Sequence, residues 1–230
     1  MDIEILQKLN VERKNRRAAM VVTDLASGEG RLICEGDAIE GDLGVAIEKG
    51  FRSGKSGTVE VGGAELFLNV HVPSPRLVVI GAVHISQALT QIAALAGYDV
   101  KVIDPRTAFA TPERFAGVDL QADWPEDVLK DAPLDAYTAL AALTHDPKID
   151  DFPLREALRV GCFYVGALGS RKTHAKRTDR FMQAGITEAQ MALIHAPIGL
   201  NIAAATPAEI AVAVMAEIIE TFRKRGMSGS

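Results

Sequence analysis

The feature that most constrains this chain is a series of short apolar runs that alternate with helical patterns after residue 75. Four such runs follow one another: residues 77–80, 100–103, 137–143 and 163–167. Continuous apolar runs are typical of strands buried on both faces of a parallel sheet, and their alternation with helices indicates right-handed βαβ units. The sequence therefore predicts a Rossmann-like, doubly wound α/β domain with a mainly parallel sheet in residues 76–226.

Helical patterns and helix-end signals fill the spaces between these runs. Gly97 ends a helix whose apolar residues between Ile85 and Leu95 share one face. Thr206, Pro207 and Glu209 form a capping box that begins the last helix. The other predicted elements are a strand at residues 120–122 and helices at 125–130, 154–160 and 171–184. Residues 189–208 are interpreted as loop and buried core, and residues 227–230 as a loose tail.

The first 75 residues have a different organisation. Helices are predicted at residues 2–14 and 41–54, and strands at 18–23, 31–34, 58–61 and 65–72. Gly62-Gly63 separates the last two strands and suits the positive φ angles of a two-residue hairpin. Pro73-Ser74-Pro75 follows as a stiff connector. The sequence therefore predicts a small α+β N-terminal unit in residues 1–75.

Charge and cysteine content exclude several classes of protein. The chain has 25 Lys and Arg residues against 30 Asp and Glu residues, a net charge of −5, so it offers no basic surplus to nucleic-acid phosphates. Two cysteines are too few for a disulfide framework and fit a reducing cytoplasm. Prolines and polar residues interrupt the uncharged stretch at 189–208, and the acidic N-terminus lacks a signal-peptide core. We expect a cytoplasmic protein with no membrane span and no nucleic-acid partner.

The turn after the first predicted parallel strand carries half of a dinucleotide-binding signature. It begins Gly81-Ala82-Val83-His84, where the pattern G-x-G-x-x-G/A requires a second glycine in place of Val83. Asp104 ends the next strand, at the position where a carboxylate meets a ribose hydroxyl. Two interpretations follow: a site that binds a dinucleotide-like ligand, or a tight strand-to-helix turn that binds nothing.

A second glycine-containing turn precedes the helix at 171–184. Gly166, Gly169, the N-cap residue Ser170 and the cations Arg171 and Lys172 form a candidate anion cradle. The alternative is a capped helix with a solvated basic first turn.

Further polar residues follow other strands of the predicted sheet. Arg106 lies two residues after Asp104, and His145-Asp146 follows the strand at 137–143. His145 suits acid–base or ligand chemistry or a structural hydrogen bond. Because ligands of such sheets bind at the carboxyl ends of the strands, we expect all four turns to converge on one edge. No zinc, hydrolase or thiol motif is present, so the sequence predicts no metal site and leaves catalytic residues unassigned.

Residues 76–220 resemble the XdhC/CoxI family, accessory proteins of xanthine dehydrogenase and related molybdenum enzymes. The segments that carry the resemblance are residues 77–85, 104–106, 143–146, 164–171, 197–200 and 206–211. The family's first turn is similar to G-A-G-H, and Val83 departs from it at the second glycine. Residues 16–75 resemble the smaller N-terminal region of the family only weakly.

The resemblance implies a maturation factor that binds molybdenum cofactor, as molybdopterin or its dinucleotide form, and delivers it to a molybdenum hydroxylase. It also implies contact with a sulfurtransferase and assembly into a homo-oligomer. On this interpretation Gly81, Ala82 and His84 form the first turn of the site, and Asp104 and Arg106 hold the periphery of the ligand. Its phosphate lies on the second turn, and His145 and Asp146 line the site. The alternatives are an NAD(P)-dependent oxidoreductase and a ligand-free interaction module of the same fold.

Overall fold

The structure is a computed structural model that describes residues 2–225. Among these residues, 2–73 and Arg225 belong to one compact unit and 74–224 to another. The predicted tail at 227–230 lies outside the described residues, as does residue 226 of the predicted α/β domain.

The first unit is a four-stranded antiparallel sheet with two helices. Its elements are α1 (Ile3–Lys14), β1 (Ala19–Asp24), β2 (Gly30–Cys34), α2 (Gly41–Ser53), β3 (Gly57–Val61) and β4 (Ala64–His71). The strand order is β2-β1-β4-β3. Gly62 and Gly63 have φ angles of 59° and 78° in the β3–β4 turn, which residues with a Cβ rarely adopt. The prediction of a small α+β unit is confirmed.

The second unit contains six strands and six helices among the described residues. In chain order they are β5 (Arg76–Ile80), α3 (His84–Leu95), β6 (Asp99–Ile103), β7 (Asp119–Gln121), α4 (Pro125–Asp131), β8 (Thr138–Ala142), α5 (Pro147–Val160), β9 (Tyr164–Ala167), α6 (Arg171–Gln183), α7 (Glu188–Met191), β10 (Ile194–His195) and α8 (Pro207–Lys224).

The sheet of this unit is parallel throughout, in the order β10-β9-β8-β5-β6-β7. Alternate residues of β5 face opposite sides. Leu77 and Val79 belong to an apolar core that includes residues of α3 and α8, whereas Val78 and Ile80 belong to a core that includes residues of α5 and α6. Because helices cover both faces, the prediction of a Rossmann-like, doubly wound parallel sheet is confirmed.

The strand order reverses between β5 and β8, which pair in parallel with Ile80 opposite Ala142. Such a reversal separates the turns that follow the two strands and leaves a crevice, where ligands of open α/β sheets bind. The turns after β5, β6, β8 and β9 all leave the sheet at its carboxyl edge, as the sequence predicts.

Two segments differ from the sequence expectation. The helix predicted at 154–160 begins at Pro147, because the Asp146 side chain accepts a hydrogen bond from Lys148 N and proline suits the first helical position. Pro153 therefore lies inside α5 and is buried, although an interior proline removes a backbone hydrogen bond.

The other segment is residues 189–208, where the sequence predicts loop and buried core. A capping box between Thr187 and Gln190 begins the short helix α7, and β10 then pairs with β9. Among residues 2–225, no helix combines the length and apolar composition needed to cross a membrane.

Candidate functional site

Gly81 brings the turns after β5 and β8 together. Its φ angle is 115°, and a Cβ at this position would lie 2.8 Å from Thr144 Cγ2. Its amide also donates a hydrogen bond of 2.8 Å to the Ile103 carbonyl at the end of β6. Only a glycine permits this close approach, so Gly81 fixes the geometry of the crevice.

Asp104 is fully buried behind this turn. Its Oδ2 accepts hydrogen bonds from Ala82 N at 2.7 Å and Arg106 Nη2 at 2.8 Å, and its Oδ1 accepts from Arg106 Nε at 2.9 Å. Burial acts to raise the pKa of Asp104, but the Arg106 guanidinium and the Ala82 amide hold it below the usual value. Both carboxylate oxygens are engaged inside the protein, so Asp104 positions the turn and Arg106.

Backbone groups of the first turn form hydrogen bonds with side chains of the protein. The Ala82 amide bonds Asp104, and the Ala82 carbonyl accepts a hydrogen bond of 2.9 Å from Arg114 Nη1. Val83 is the extended N-cap residue of α3, without a side-chain cap, and His84 is the exposed first residue of that helix. These contacts leave the Ala82 amide and carbonyl engaged, and no sequence motif includes Arg114.

The turn after β8 is organised by Thr144. The buried Thr144 hydroxyl accepts a hydrogen bond from Asp146 N at 3.0 Å and donates one of 2.7 Å to Asp150 Oδ1. His145 has a positive φ of 63° and is exposed. Asp146 caps α5 through Lys148 N. Both predicted residues therefore lie at the carboxyl edge, with Asp146 engaged in capping.

The turn after β9 begins α6 as the sequence predicts. Ser170 Oγ accepts a hydrogen bond from Thr173 N at 3.2 Å, and Gly169 has a φ of 137°. A Cβ on Gly166 would lie 2.6 Å from Ile198 Cδ1, so Gly166 serves close packing against the segment after β10. Arg171 is the exposed first residue of α6.

A cavity of about 240 Å³ lies between the beginnings of α5 and α6. Its lining residues are His145, Pro147, Asp150, Asp151, Lys172, Thr173, Lys176, Arg177 and Arg180. Of the residues predicted to bind the cofactor, His145 alone belongs to this lining. Arg171 does not belong to it, although its neighbour Lys172 does. The lining contains four Lys or Arg side chains and two carboxylates, so it favours anions.

Asp150 and Arg177 are the buried charged residues of this cavity, with 1% and 3% of their surface exposed. Asp150 Oδ2, Arg177 Nε and Arg177 Nη1 are buried atoms without a hydrogen-bond partner. Burial raises the pKa of Asp150 to about 6, against the opposing effects of Thr144 and Arg177. Burial lowers the pKa of Arg177, while Asp150 and Asp151 oppose that shift.

Neither buried residue belongs to a predicted turn, although helical spacing contains a signal for them. Asp150 lies four residues after Asp146, a residue of a predicted turn, and shares a face of α5 with it. Arg177 lies four residues after Thr173, which directly follows the second predicted turn, and shares a face of α6 with it. On one wall, Arg180 Nε and Nη2 form hydrogen bonds of 2.8 and 2.9 Å with Asp151. This pair neutralises Arg180 and Asp151 locally.

A separate polar cluster holds the segment after β10. Glu217 of α8 accepts hydrogen bonds from Tyr164 OH at 2.6 Å and Gly199 N at 2.8 Å, and its other oxygen lies 3.1 Å from His195 Nδ1. The rings of Tyr164 and His195 stack at 4.7 Å. Burial acts to raise the pKa of Glu217, but these donors hold it below its usual value. Tyr164 and Gly199 lie in segments that carry the family resemblance, whereas no sequence motif includes His195 or Glu217.

Neither cysteine has the environment of a nucleophile. Burial raises the pKa of Cys162 to about 12, and burial together with Glu12 and Asp37 raises that of Cys34. Over the part of the chain that the structure describes, no group of three or more His, Cys, Asp or Glu residues is arranged to hold a metal ion.

Comparison with known proteins gives a consistent result. Three curated relatives match between 64% and 70% of the chain, and each extends well beyond it. The uncharacterized protein YqeB of Escherichia coli (strain K12) is 36% identical over 173 residues, 70% of this chain and 30% of YqeB. A probable xanthine dehydrogenase subunit of Bacillus subtilis (strain 168) is 34% identical over 161 residues, 70% of this chain and 46% of that protein. The molybdenum cofactor insertion chaperone PaoD of E. coli (strain K12) is 30% identical over 146 residues, 64% of this chain and 40% of PaoD.

The fold is also similar to that of a solved protein. A crystal structure described as a xanthine dehydrogenase from Bacillus halodurans, at 2.80 Å resolution, superposes with a TM-score of 0.64 and 24% identity, covering 100% of this chain and 68% of that one. A family model described as the XdhC Rossmann domain matches residues 77–218. Since this match covers more than half of the sequence, the chain belongs to the XdhC family.

Proposed function

We propose that this protein is a maturation factor that binds molybdenum cofactor and passes it to a molybdenum hydroxylase of the xanthine dehydrogenase type. Membership of the XdhC family supports this role, as do relatives named a molybdenum cofactor insertion chaperone and a probable xanthine dehydrogenase subunit. The observation that carries the proposal is the cation-rich cavity at the carboxyl edge of the sheet, because the pterin of this cofactor bears a phosphate.

The residues around the cavity fit such a ligand. Arg177 has two buried nitrogen atoms without partners, and Lys172 and Lys176 add positive charge beside it. The capped beginning of α6 contributes the positive end of a helix dipole. Gly169, Ser170 and Arg171 adjoin this wall, and His145 and Asp146 lie at the opposite turn. These residues would bind and orient the cofactor, which supplies the molybdenum centre that the client enzyme uses.

The geometry of the first turn argues against the alternative of an NAD(P)-dependent oxidoreductase. A dinucleotide site needs backbone amides that face the pyrophosphate and a carboxylate that faces the ribose. Here the Ala82 amide donates to Asp104, and both Asp104 oxygens accept hydrogen bonds within the protein. Val83 stands at the position where glycine permits close approach. These features favour a carrier over an oxidoreductase, while the unpartnered atoms of the cavity favour a ligand over a ligand-free module.

The contact with a sulfurtransferase and the assembly into a homo-oligomer remain predictions from the family resemblance. Contact with a sulfurtransferase is compatible with a carrier, because a cofactor that is modified before delivery must stay bound while a second protein reaches it.

Anaerobic transfer tests the proposed function. The full chain is mixed with molybdenum cofactor released from a molybdenum enzyme and passed over a size-exclusion column, and molybdenum and oxidised pterin fluorescence are measured in the protein peak. We expect both to co-elute with the chain, and the loaded protein to restore activity to a hydroxylase that lacks its cofactor. Binding of NAD(P) with no retention of pterin would instead identify a nucleotide-dependent protein, and retention of neither ligand would favour an interaction module.

A further inference from the structure

The cavity between α5 and α6 contains two buried, opposite charges with unused hydrogen-bonding capacity. Asp150 Oδ2 lacks a donor, and Arg177 Nε and Nη1 lack acceptors. The remaining guanidinium nitrogen, Nη2, donates a long hydrogen bond of 3.3 Å to the Leu168 carbonyl. Since buried polar atoms in folded proteins are nearly always paired and unpaired buried charges are strongly destabilising, these atoms indicate a ligand that supplies both partners.

The surroundings of this pair select an anion. The capped N-termini of α5 and α6 both open on the cavity, through Pro147 and through Lys172 and Thr173. Helix N-termini attract negative charge, and Lys172 and Lys176 add two cations to Arg177. Arg177 Nε and Nη1 lie on different edges of the guanidinium, and each can donate a charge-assisted hydrogen bond to an oxyanion.

Asp150 narrows the choice of oxyanion. A sulfate ion offers oxygens to Arg177 but no hydrogen to the free oxygen of Asp150, so it would bring one anion against another. A phosphate group that holds one proton presents both an acceptor and an O–H donor. The cavity of about 240 Å³ has room for roughly eight water molecules, which leaves space for an ester substituent beyond the phosphate itself.

We propose that this cavity binds a phosphate monoester group, with Arg177 and Lys172 donating to its oxygens and Asp150 sharing a proton with one of them. The inference rests on the proposed function in one respect, since it names the part of the cofactor that is held here. It favours a ligand with a terminal phosphate, which exchanges its second proton at about pH 6, over a dinucleotide, whose bridging phosphates exchange none near neutral pH.

The test compares inorganic phosphate with sulfate by isothermal titration calorimetry on the full chain at pH 8, where phosphate retains one proton and sulfate none. We expect the wild type to bind phosphate at least about tenfold more tightly than sulfate, the effect of one hydrogen bond to a charged group. Asp150→Asn should bring the two affinities close together, because its amide no longer opposes sulfate. Lys172→Ala, a change at an exposed position, should weaken both anions.

Arg177→Met should weaken both anions by at least about tenfold, and Arg155→Ala is the matched control, because Arg155 is an exposed cation of α5 outside the lining. The affinities of methyl phosphate and inorganic phosphate, both measured at pH 6, show whether the cavity binds an ester or the free ion. Comparable affinities support an ester, whereas binding of inorganic phosphate alone overturns the ester in favour of the free ion. Equal affinity of the wild type for phosphate and sulfate, or affinities that Lys172→Ala leaves unchanged, would overturn the inference. Retention of pterin by the protein is measured separately, so failure here leaves the cofactor proposal standing, and the reverse also holds.

Discussion

At the scale of single residues, the side chains that form the candidate cavity differ from those that the sequence motifs predict to bind a ligand. Asp104 stands where a ribose-binding carboxylate is expected, yet it bonds the Ala82 amide and the Arg106 guanidinium. Asp150 and Arg177, which the turn motifs do not include, have the unpaired buried atoms. Sequence position predicts which residues reach the carboxyl edge, but the partner that satisfies each side chain depends on neighbouring helices.

Asp150 gives the stability of the protein a specific pH dependence. Burial raises its pKa from 3.8 to about 6, so the folded protein holds a proton that the unfolded chain has lost. Arg177 and Arg106 face Asp150 from other elements, and Asp146 and Asp151 flank it on α5. Stability from this group therefore falls as the pH rises from about 4 to about 6, and the loss of about 3 kcal/mol is complete above that range.

Asp150→Asn removes this titration. We expect the variant to unfold at a higher denaturant concentration than the wild type at pH 8, by up to about 3 kcal/mol in free energy, and the difference to shrink towards pH 4. Urea unfolding of both proteins between pH 4 and pH 8 isolates the contribution, because all other groups titrate in both. A difference that is independent of pH would show that the pKa of Asp150 is the same in the folded and unfolded states.

At the scale of elements, helix beginnings are the part of the fold that the sequence specifies most directly. Thr206 Oγ1 accepts from Glu209 N at 3.2 Å, and Glu209 Oε2 accepts from Thr206 N at 2.9 Å, as the capping box predicts. At the beginning of α6, Ser170 Oγ accepts a hydrogen bond from Thr173 N, as the predicted N-cap requires. These signals are local, so a single sequence contains them. The predicted start of α5 at residue 154 is wrong, because the Asp146 cap begins the helix at Pro147 and Pro153 is accommodated in its interior.

The capping box of α8 is a measurable contribution to stability. Thr206→Ala removes the hydroxyl that accepts from Glu209 N, and loss of such a cap destabilises a protein by about 1 kcal/mol. We expect the denaturation midpoint to fall accordingly, with anion binding unchanged, because the lining of the cavity lies on other elements. Thr206→Ser retains a hydroxyl and serves as the control, so equal stability of wild type and Thr206→Ala would contradict the assigned role of the cap.

At the scale of the whole molecule, the parallel sheet follows from the apolar runs, whereas the cavity does not. The order β10-β9-β8-β5-β6-β7 brings α5 and α6 side by side, and only this arrangement places Asp150 and Arg177 in one lining. Residues separated by one crossover become neighbours through the sheet, and no local pattern shows that. The short strand β10 has no local signal for the same reason, since pairing with β9 defines it, whereas the capping box of Thr187 and Gln190 is a local signal for α7.

Ligand binding should therefore be visible in the stability of the protein. A ligand present at one hundred times its dissociation constant stabilises the folded state by about 2.7 kcal/mol, which corresponds to a rise in Tm of roughly 5–10 °C for a unit of this size. Phosphate and sulfate also stabilise proteins generally by exclusion from their surfaces, so Lys172→Ala is measured beside the wild type under the same conditions. We expect phosphate to raise the Tm of the wild type more than sulfate does, and Lys172→Ala to show a smaller rise with each anion. Equal shifts for both anions in both proteins would show a general salt effect and no occupied cavity.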